Sequence, residues 1–295
     1  IIMYIAGILM SQECVRAGSR EFRITMIDVG QGDSTFIEFE DGKSMIIDAG
    51  PGAGFDCGRS VIAPFLKSKG VRSIDALIIT HPQDDHMGGI GSLQEIFRVK
   101  RVYLAAVFKN NKYVRHLIKD KILDPERMGW LSAGDRLEGF GGTQIDTIHP
   151  PYRGESEDVN ESSLVLRMRH SDLTALFCAD IKDKTMTRLA ASERYIRADI
   201  LKVPHHGARL KNGGRSFIEQ VCPRLSLISV GEHNRFGHPS PETITALENI
   251  NANTVFRTDL DGAVEINLEP PSGIKVQSFY SKKILRWPLR PSLSL

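Results

Sequence analysis

The stretch Thr80-His81-Pro82-Gln83-Asp84-Asp85-His86-Met87-Gly88-Gly89 constrains this chain more than any other. It follows Asp75-Ala76-Leu77-Ile78-Ile79, a short, β-branched apolar run bounded by a turn signal, which reads as a buried strand ending at His81. The motif therefore falls in a strand-to-helix loop. Imidazoles and carboxylates crowded within six residues must be solvated, paired or bound to a metal, because polar groups left unsatisfied beside a core are costly. Metal binding satisfies them together.

The rest of the chain supplies a frame for such a loop. Phe22 to Asp28, Ser34 to Glu40 and Lys43 to Asp48 read as strands, the last two joined through Asp41-Gly42, a hairpin signal. Cys57 to Lys69 has the apolar spacing of a helix stopped by Gly70, and Gly89 to Phe97 reads as another. Between 109 and 126 lies a basic amphipathic segment with Val114, Leu117 and Ile118 on one face and Lys112, Arg115 and Lys119 on another, the pattern of a solvated helix face and, as the alternative, of a nucleic-acid contact surface. Strands then recur at Thr143 to His149, Ser162 to His170, Leu173 to Ala179, Ala198 to Pro204, Leu225 to Val230, Thr254 to Arg257, Ala263 to Leu268 and Ile274 to Phe279. Helices are expected over about 183 to 191, near 214 to 221, and after Ser240-Pro241-Glu242. Two β-rich halves with interspersed helices predict a two-sheet α/β sandwich.

On these residues the chain resembles the metallo-β-lactamase superfamily. His81-x-Gln83-x-Asp85-His86, followed by Gly88-Gly89, looks like that superfamily's His-x-His-x-Asp-His signature. More narrowly, six segments in order resemble the extracytoplasmic hydrolase domain of the ComEC-type competence DNA channel. They are Met26-Ile-Asp-Val-Gly-Gln-Gly-Asp-Ser34, Ile46-Ile-Asp-Ala-Gly50, Asn160-Glu-Ser-Ser-Leu-Val-Leu166, Phe177-Cys-Ala-Asp180, Leu201-Lys-Val-Pro-His-His-Gly207 and Asn234-Arg-Phe-Gly-His-Pro239. The resemblance implies a four-layer αββα sandwich over residues 22–280, preceded by an apolar segment and linker at 1–21 and followed by a loosely held tail at 281–295.

It also implies a site for one or two divalent ions. Asp85, His86, Asp180 and His205 would hold one position; His81, Asp180 and Gln83 the other. Asp85, His86 and Asp180 are the catalytic candidates. Asp180 matches the carboxylate that bridges both metals, although an Asp at a strand end is also a common helix N-cap. Adjacent side chains on an extended segment point opposite ways, so His205 is taken as the ligand and His206 as its neighbour. Asp48 matches a carboxylate that orients a ligating imidazole. Asp33 braces the site or closes its own turn. Arg209 and His238 lie in loops placed to meet a phosphate backbone, or are simply solvated.

Two departures matter. Gln83 stands where the superfamily has His and ComEC-type proteins often have Asp, and Asn160-Glu161-Ser162-Ser163 stands where a further His is expected. Fewer nitrogens and more oxygens shift the preference from Zn²⁺ toward harder ions such as Mn²⁺.

Composition removes some alternatives. With 38 basic and 36 acidic residues the chain carries no global charge for nucleic acid, so any phosphate affinity is local. Cys14, Cys57, Cys178 and Cys222 show neither C-x-x-C spacing nor a disulfide framework. There is no G-x-S-x-G elbow for a serine nucleophile. The opening Ile1-Ile-Met-Tyr-Ile-Ala-Gly-Ile-Leu-Met10 is apolar but shorter than the ~20 residues that cross a bilayer. It reads as the end of a membrane helix, a signal-peptide remnant or an apolar strand; the first fits the resemblance and places the chain extracytoplasmic and tethered to a channel. The leading expectation is a nuclease acting on single-stranded DNA during uptake. The alternatives are a hydrolase of a small or cell-wall phosphoester, and a non-catalytic channel module with a decayed metal site.

Overall fold

The computed structural model describes residues 21–152, 158–192, 196–269 and 273–288. Two large mixed sheets face each other, flanked by helices. From edge to edge the first runs Ile284–Trp287, Gly273–Ser278, Val264–Glu269, Arg23–Met26, Thr35–Glu38, Ser44–Ile47, Ala76–Ile79, Val102–Ala105 and Met128–Leu131. The second runs Thr254–Arg257, Leu225–Ile228, Ile200–Lys202, Leu173–Phe177, Val165–His170, Thr143–His149 and Arg136–Phe140. In each, the antiparallel hairpins give way to consecutive parallel pairs: Ser44–Ile47 with Ala76–Ile79, and Leu173–Phe177 with Ile200–Lys202.

The sequence pattern explains the layering. Parallel strands are covered on both faces, so their residues are apolar in near-continuous runs. Ala175, Phe177 and Ile200 turn into the cluster between the sheets, shared with Ile24, Met26 and Phe36. Leu176, Leu201, Val203 and Ile228 turn outward onto Met186, Leu189, Phe217 and Ile218, which lie on the helices Asp183–Ala190 and Asn212–Val221. On the other sheet, Gly58–Ile62 runs into Ala63–Ser68 and packs beside Ile90–Ile96. That contact needs Gly88 and Gly89. A Cβ on Gly88 would stand 2.0 Å from the Gly52 nitrogen, and one on Gly89 would stand 2.4 Å from the Ala49 oxygen.

The Asp41-Gly42 hairpin forms as read, pairing Glu38 with Ser44. The 109 to 126 segment contains the helix Lys112–Lys119, with Val114 and Leu117 buried and Lys112, Arg115 and Lys119 exposed. Six strands among the described residues were not anticipated: the short parallel pair Ser73–Ile74 and Arg98–Val99, then Val102–Ala105, Met128–Leu131, Arg136–Phe140 and Ile284–Trp287. The last corrects the tail. Ile284–Trp287 pairs with Gly273–Ser278 and buries Trp287, so ordered structure extends past residue 281. The apolar segment up to residue 20 and the last seven residues lie outside the described residues. Among the described residues no helix is long and apolar enough to cross a membrane.

Candidate metal centre

The parallel strands of both sheets end at one rim, and the candidate residues follow those ends. Asp48 follows Ser44–Ile47, His81 follows Ala76–Ile79, Asp180 follows Leu173–Phe177 and the two histidines follow Ile200–Lys202. Strand carboxyl ends are where mixed α/β folds leave a crevice. The two sheets are tied together there: Leu164 N–H donates to the Thr80 carbonyl at 3.0 Å, and Ser229 Oγ donates to the Gly32 carbonyl at 2.7 Å.

The loop that carries the motif is held by its backbone. Asp33 N–H donates to the Asp85 carbonyl at 3.0 Å, and Ala49 N–H donates to the His86 carbonyl. Asp84 turns away from the rim and accepts from Gly52 and Ala53 N–H groups, bracing the loop. With the backbone fixed, Asp85, His86, Asp180 and His206 each offer one donor atom, all within 4.8 Å of one another. Asp180 Oδ1 lies 3.3 Å from His86 Nε2, Asp180 Oδ2 3.6 Å from His206 Nε2, and Asp85 Oδ2 3.4 Å from His206 Nε2.

Their far sides are committed. His86 Nδ1 meets Asp48 Oδ2 at 2.8 Å, and Asp48 also accepts from Thr80 N–H and Oγ1, both at 2.8 Å. His206 Nδ1 donates to the Ser229 carbonyl at 2.9 Å. Both imidazoles therefore aim Nε2 at Asp180. Neither Nε2, nor Asp180 Oδ1, has a hydrogen-bond partner. Buried polar atoms of this kind are rare without an ion or water to meet them. A divalent cation fits: two nitrogens and two carboxylate oxygens suit Mn²⁺ or Zn²⁺, and the imidazoles are already oriented by the groups behind them.

The electrostatics point the same way. Burial alone would lower the His86 and His206 pKa values, yet Asp180 with Asp48 lifts His86 well above the ordinary range, and Asp180 with Asp33 lifts His206 to about 10. Asp180 is held well below the usual carboxylate range by His206 and His86 despite its burial. The carboxylates outweigh the imidazoles, so positive charge is favoured at this point.

The local backbone decides which histidine faces the donor set. His206, not His205, joins the four-donor set. The extended backbone on which the choice rested does not form: Pro204–Gly207 is a tight turn with φ of 51° at His205 and 53° at His206. His205 sits at the rim, 3.7 Å from Asp180 Oδ2 and 3.4 Å from Asn160 Nδ2. His81 and Gln83 lie beside the set rather than within it. The His81 ring is 4.1 Å from that of His86, its Nε2 meets Gln83 Oε1 at 3.2 Å, and burial with the His86 charge lowers its pKa to about 3.

Asp48 and Asp33 stand behind the two imidazoles, Asp48 against His86 and Asp33 near His206. Asp33 pairs with the buried Lys202 ammonium and lies 3.5 Å from His206 Nδ1. Lys202 was not anticipated; its signal in sequence is one cation inside the apolar run Leu201-Lys202-Val203. Asp33, Asp48 and His86 also approach within 4.8 Å, but Lys202 already supplies the positive charge on that side. His238 reaches the rim with its ring 5.5 Å from His205. Arg209 does not: it is exposed and paired with Glu242 at 3.0 Å.

Asp48→Asn keeps the shape but removes the charge behind His86. Metal affinity is expected to fall about 10–100-fold, the usual cost of losing such a partner, as read by calorimetric titration of Mn²⁺. Unchanged affinity would confine Asp48 to holding Thr80.

Two mixed sheets flanked by helices, with a His/Asp cluster at the rim where their parallel strands end, define a metallo-hydrolase fold. A family model described as the metallo-beta-lactamase superfamily matches residues 27–166. ComE operon protein 3 of Bacillus subtilis (strain 168) is 30% identical over 264 residues, 84% of this chain and 33% of that protein. Competence protein ComA of Neisseria gonorrhoeae is 26% identical over 274 residues, 92% of this chain and 36% of that protein. The chain thus spans about a third of the length of these curated relatives. Among solved structures, the metallo-beta-lactamase fold protein YhfI from Bacillus subtilis aligns with a TM-score of 0.52 at 13% identity, over 81% of this chain and 97% of that one, a likeness of fold. The chain thus has the metallo-beta-lactamase fold and matches that superfamily over residues 27–166, with distant similarity to the competence proteins.

Proposed function

We propose that this chain is a metal-dependent phosphodiesterase that hydrolyses DNA, preferentially single-stranded, in the setting of DNA uptake. On this reading it works on the extracytoplasmic side, tethered to the membrane-channel portion of the same or a longer chain. One observation carries the hydrolytic part: the unpartnered Nε2 atoms of His86 and His206 and Oδ1 of Asp180 converge on one point. The DNA part is supported by the similarity to two competence proteins.

Divalent cations held there would lower the pKa of attacking water and offset charge on a phosphodiester. The chain's own groups do the rest. Asp48 and the Ser229 carbonyl keep the two imidazoles aimed at the substrate side. Asn160 and His238, both against His205, line the rim where phosphoryl oxygens would arrive. His238 is neutral at pH 7, since burial and the neighbouring His205 lower its pKa to about 4, so it can accept or donate one hydrogen bond there.

The test reconstitutes metal-free protein with Mn²⁺ or Zn²⁺ and assays a single-stranded oligonucleotide against a chromogenic small diester. DNA is expected to be the better substrate, and Mn²⁺ to exceed Zn²⁺ by about tenfold, a difference of ~1.4 kcal/mol in barrier. Turnover of the small diester without DNA cleavage would favour a small-phosphoester hydrolase. Absence of bound metal at saturating Mn²⁺, which the Gln83 and Asn160 departures make worth measuring, would favour a non-catalytic module.

A further inference from the structure

Next to the metal cluster, and sharing His205 with its rim, lies a cavity of about 560 Å³. It opens between the helices Asp183–Ala190 and Asn212–Val221 and the turn Pro204–Gly207. Its floor is apolar: Ile181, Met186, Pro204 and Leu210 are buried side chains of the lining. Its rim is cationic, with Lys182, Lys184, Arg209 and Lys211.

These cations are not equivalent. Lys182 pairs with Asp158 at 2.8 Å and Arg209 with Glu242 at 3.0 Å. Lys184 and Lys211 are exposed and make no ion pair among the described residues. The two carboxylates in the lining are turned to other work. Glu161 accepts from the Thr185 N–H at 2.9 Å and the Lys184 N–H at 3.3 Å, and Asp183 accepts from the Gly214 N–H at 3.0 Å. Each thereby caps the start of one helix, leaving the two free ammonium groups to set the charge at the mouth.

We propose that this cavity is a subsite for the nucleotide adjoining the scissile phosphate, with Lys184 and Lys211 gripping the next phosphates along an unpaired strand. This rests on the proposed action on DNA. The size suits one small polar-headed group, as pockets of about 300–1,000 Å³ do. An apolar floor takes the sugar and base by burial, and apart from the His205 imidazole at the edge shared with the metal cluster no aromatic ring or side-chain amide lines it to read base edges. The subsite therefore accepts any base, and its affinity is electrostatic and salt-dependent. Its connection to the chemistry is His205, which lies 3.7 Å from Asp180.

The experiment compares the unaltered chain with Lys184→Glu/Lys211→Glu. Binding of a fluorescein-labelled single-stranded decanucleotide is followed by anisotropy in EDTA across a salt series, and turnover of the small aryl diester is measured separately with Mn²⁺. A matched charge reversal on the distant helix, Lys112→Glu/Arg115→Glu, is the control. The expected result is oligonucleotide affinity lower by about tenfold or more, and a log K against log salt slope shallower by about 1.4, two contacts at ~0.7 each. Aryl diester turnover stays unchanged. Unaltered affinity, an equal loss in the control, or a parallel loss of aryl diester turnover would each overturn the subsite. Should the unaltered chain hydrolyse neither substrate, the hydrolytic reading fails, while the anisotropy arm still decides the subsite.

Discussion

Asp180→Asn is expected to abolish hydrolysis for practical purposes, lowering kcat/KM by about a thousandfold, or ~4 kcal/mol of transition-state stabilisation. The expectation follows from how many groups that one carboxylate serves. Asp180 is 1% exposed, and its two oxygens lie within 3.3–3.7 Å of imidazole nitrogens from His86, His205 and His206. Asparagine keeps the size but not the charge, so the site loses the group that most favours a cation and gains an amide whose N–H₂ faces two imidazoles. The measurement is turnover on DNA alongside metal content at saturating Mn²⁺. Metal content is decisive because it does not depend on the choice of substrate. Wild-type metal content with turnover within about tenfold of wild type would mean that the ligand set has been misassigned.

How much of this site was legible depended on whether each role was local in sequence. Asp85 and His86 could be found from spacing, because an apolar strand followed by a polar loop fixes where they stand, while His81 from the same loop falls beside the donor set. Asp48 was placed by resemblance, and its contact with His86 is what the resemblance implied. The choice between His205 and His206 rests on an extended backbone that does not form. Two successive left-handed residues turn the pair instead, and nothing in Pro-His-His-Gly announces them. The fold shows the same limit. Thr143–His149 alternates buried and partly exposed residues and was read correctly. Val102–Ala105 is only four residues long and gains its character as a strand from pairing with Ala76–Ile79 on one side and Met128–Leu131 on the other. Arg136–Phe140 is interrupted by Gly139 at a φ of 88°. Tertiary context decides such segments.

Lys202→Met should destabilise the fold by about 3–5 kcal/mol, because it strands a buried charge. Lys202 and Asp33 are each 4% exposed, and the ammonium meets Asp33 Oδ2 directly. Burial alone would raise the Asp33 pKa, but Lys202 and His206 hold it below the ordinary value, so Asp33 is a carboxylate in the folded chain. Taking the lysine away leaves that carboxylate facing a sheet interior, with Oδ1 already lacking a hydrogen-bond partner. For a chain this size the loss corresponds to a midpoint lower by roughly 10 °C in thermal denaturation. A cycle with Asp33→Asn separates the pair from its surroundings. Asp33→Asn alone leaves an unpaired ammonium and is also destabilising, whereas Lys202→Met/Asp33→Asn removes both charges and should recover much of the loss, since replacing a buried pair is far milder than breaking it. Additive losses in the double variant would show that Lys202 and Asp33 act independently. The pair would then not be the strut that carries the first sheet's Gly32-Asp33 turn to the back of His206, and the alignment of His206 would have to come from the Ser229 carbonyl alone.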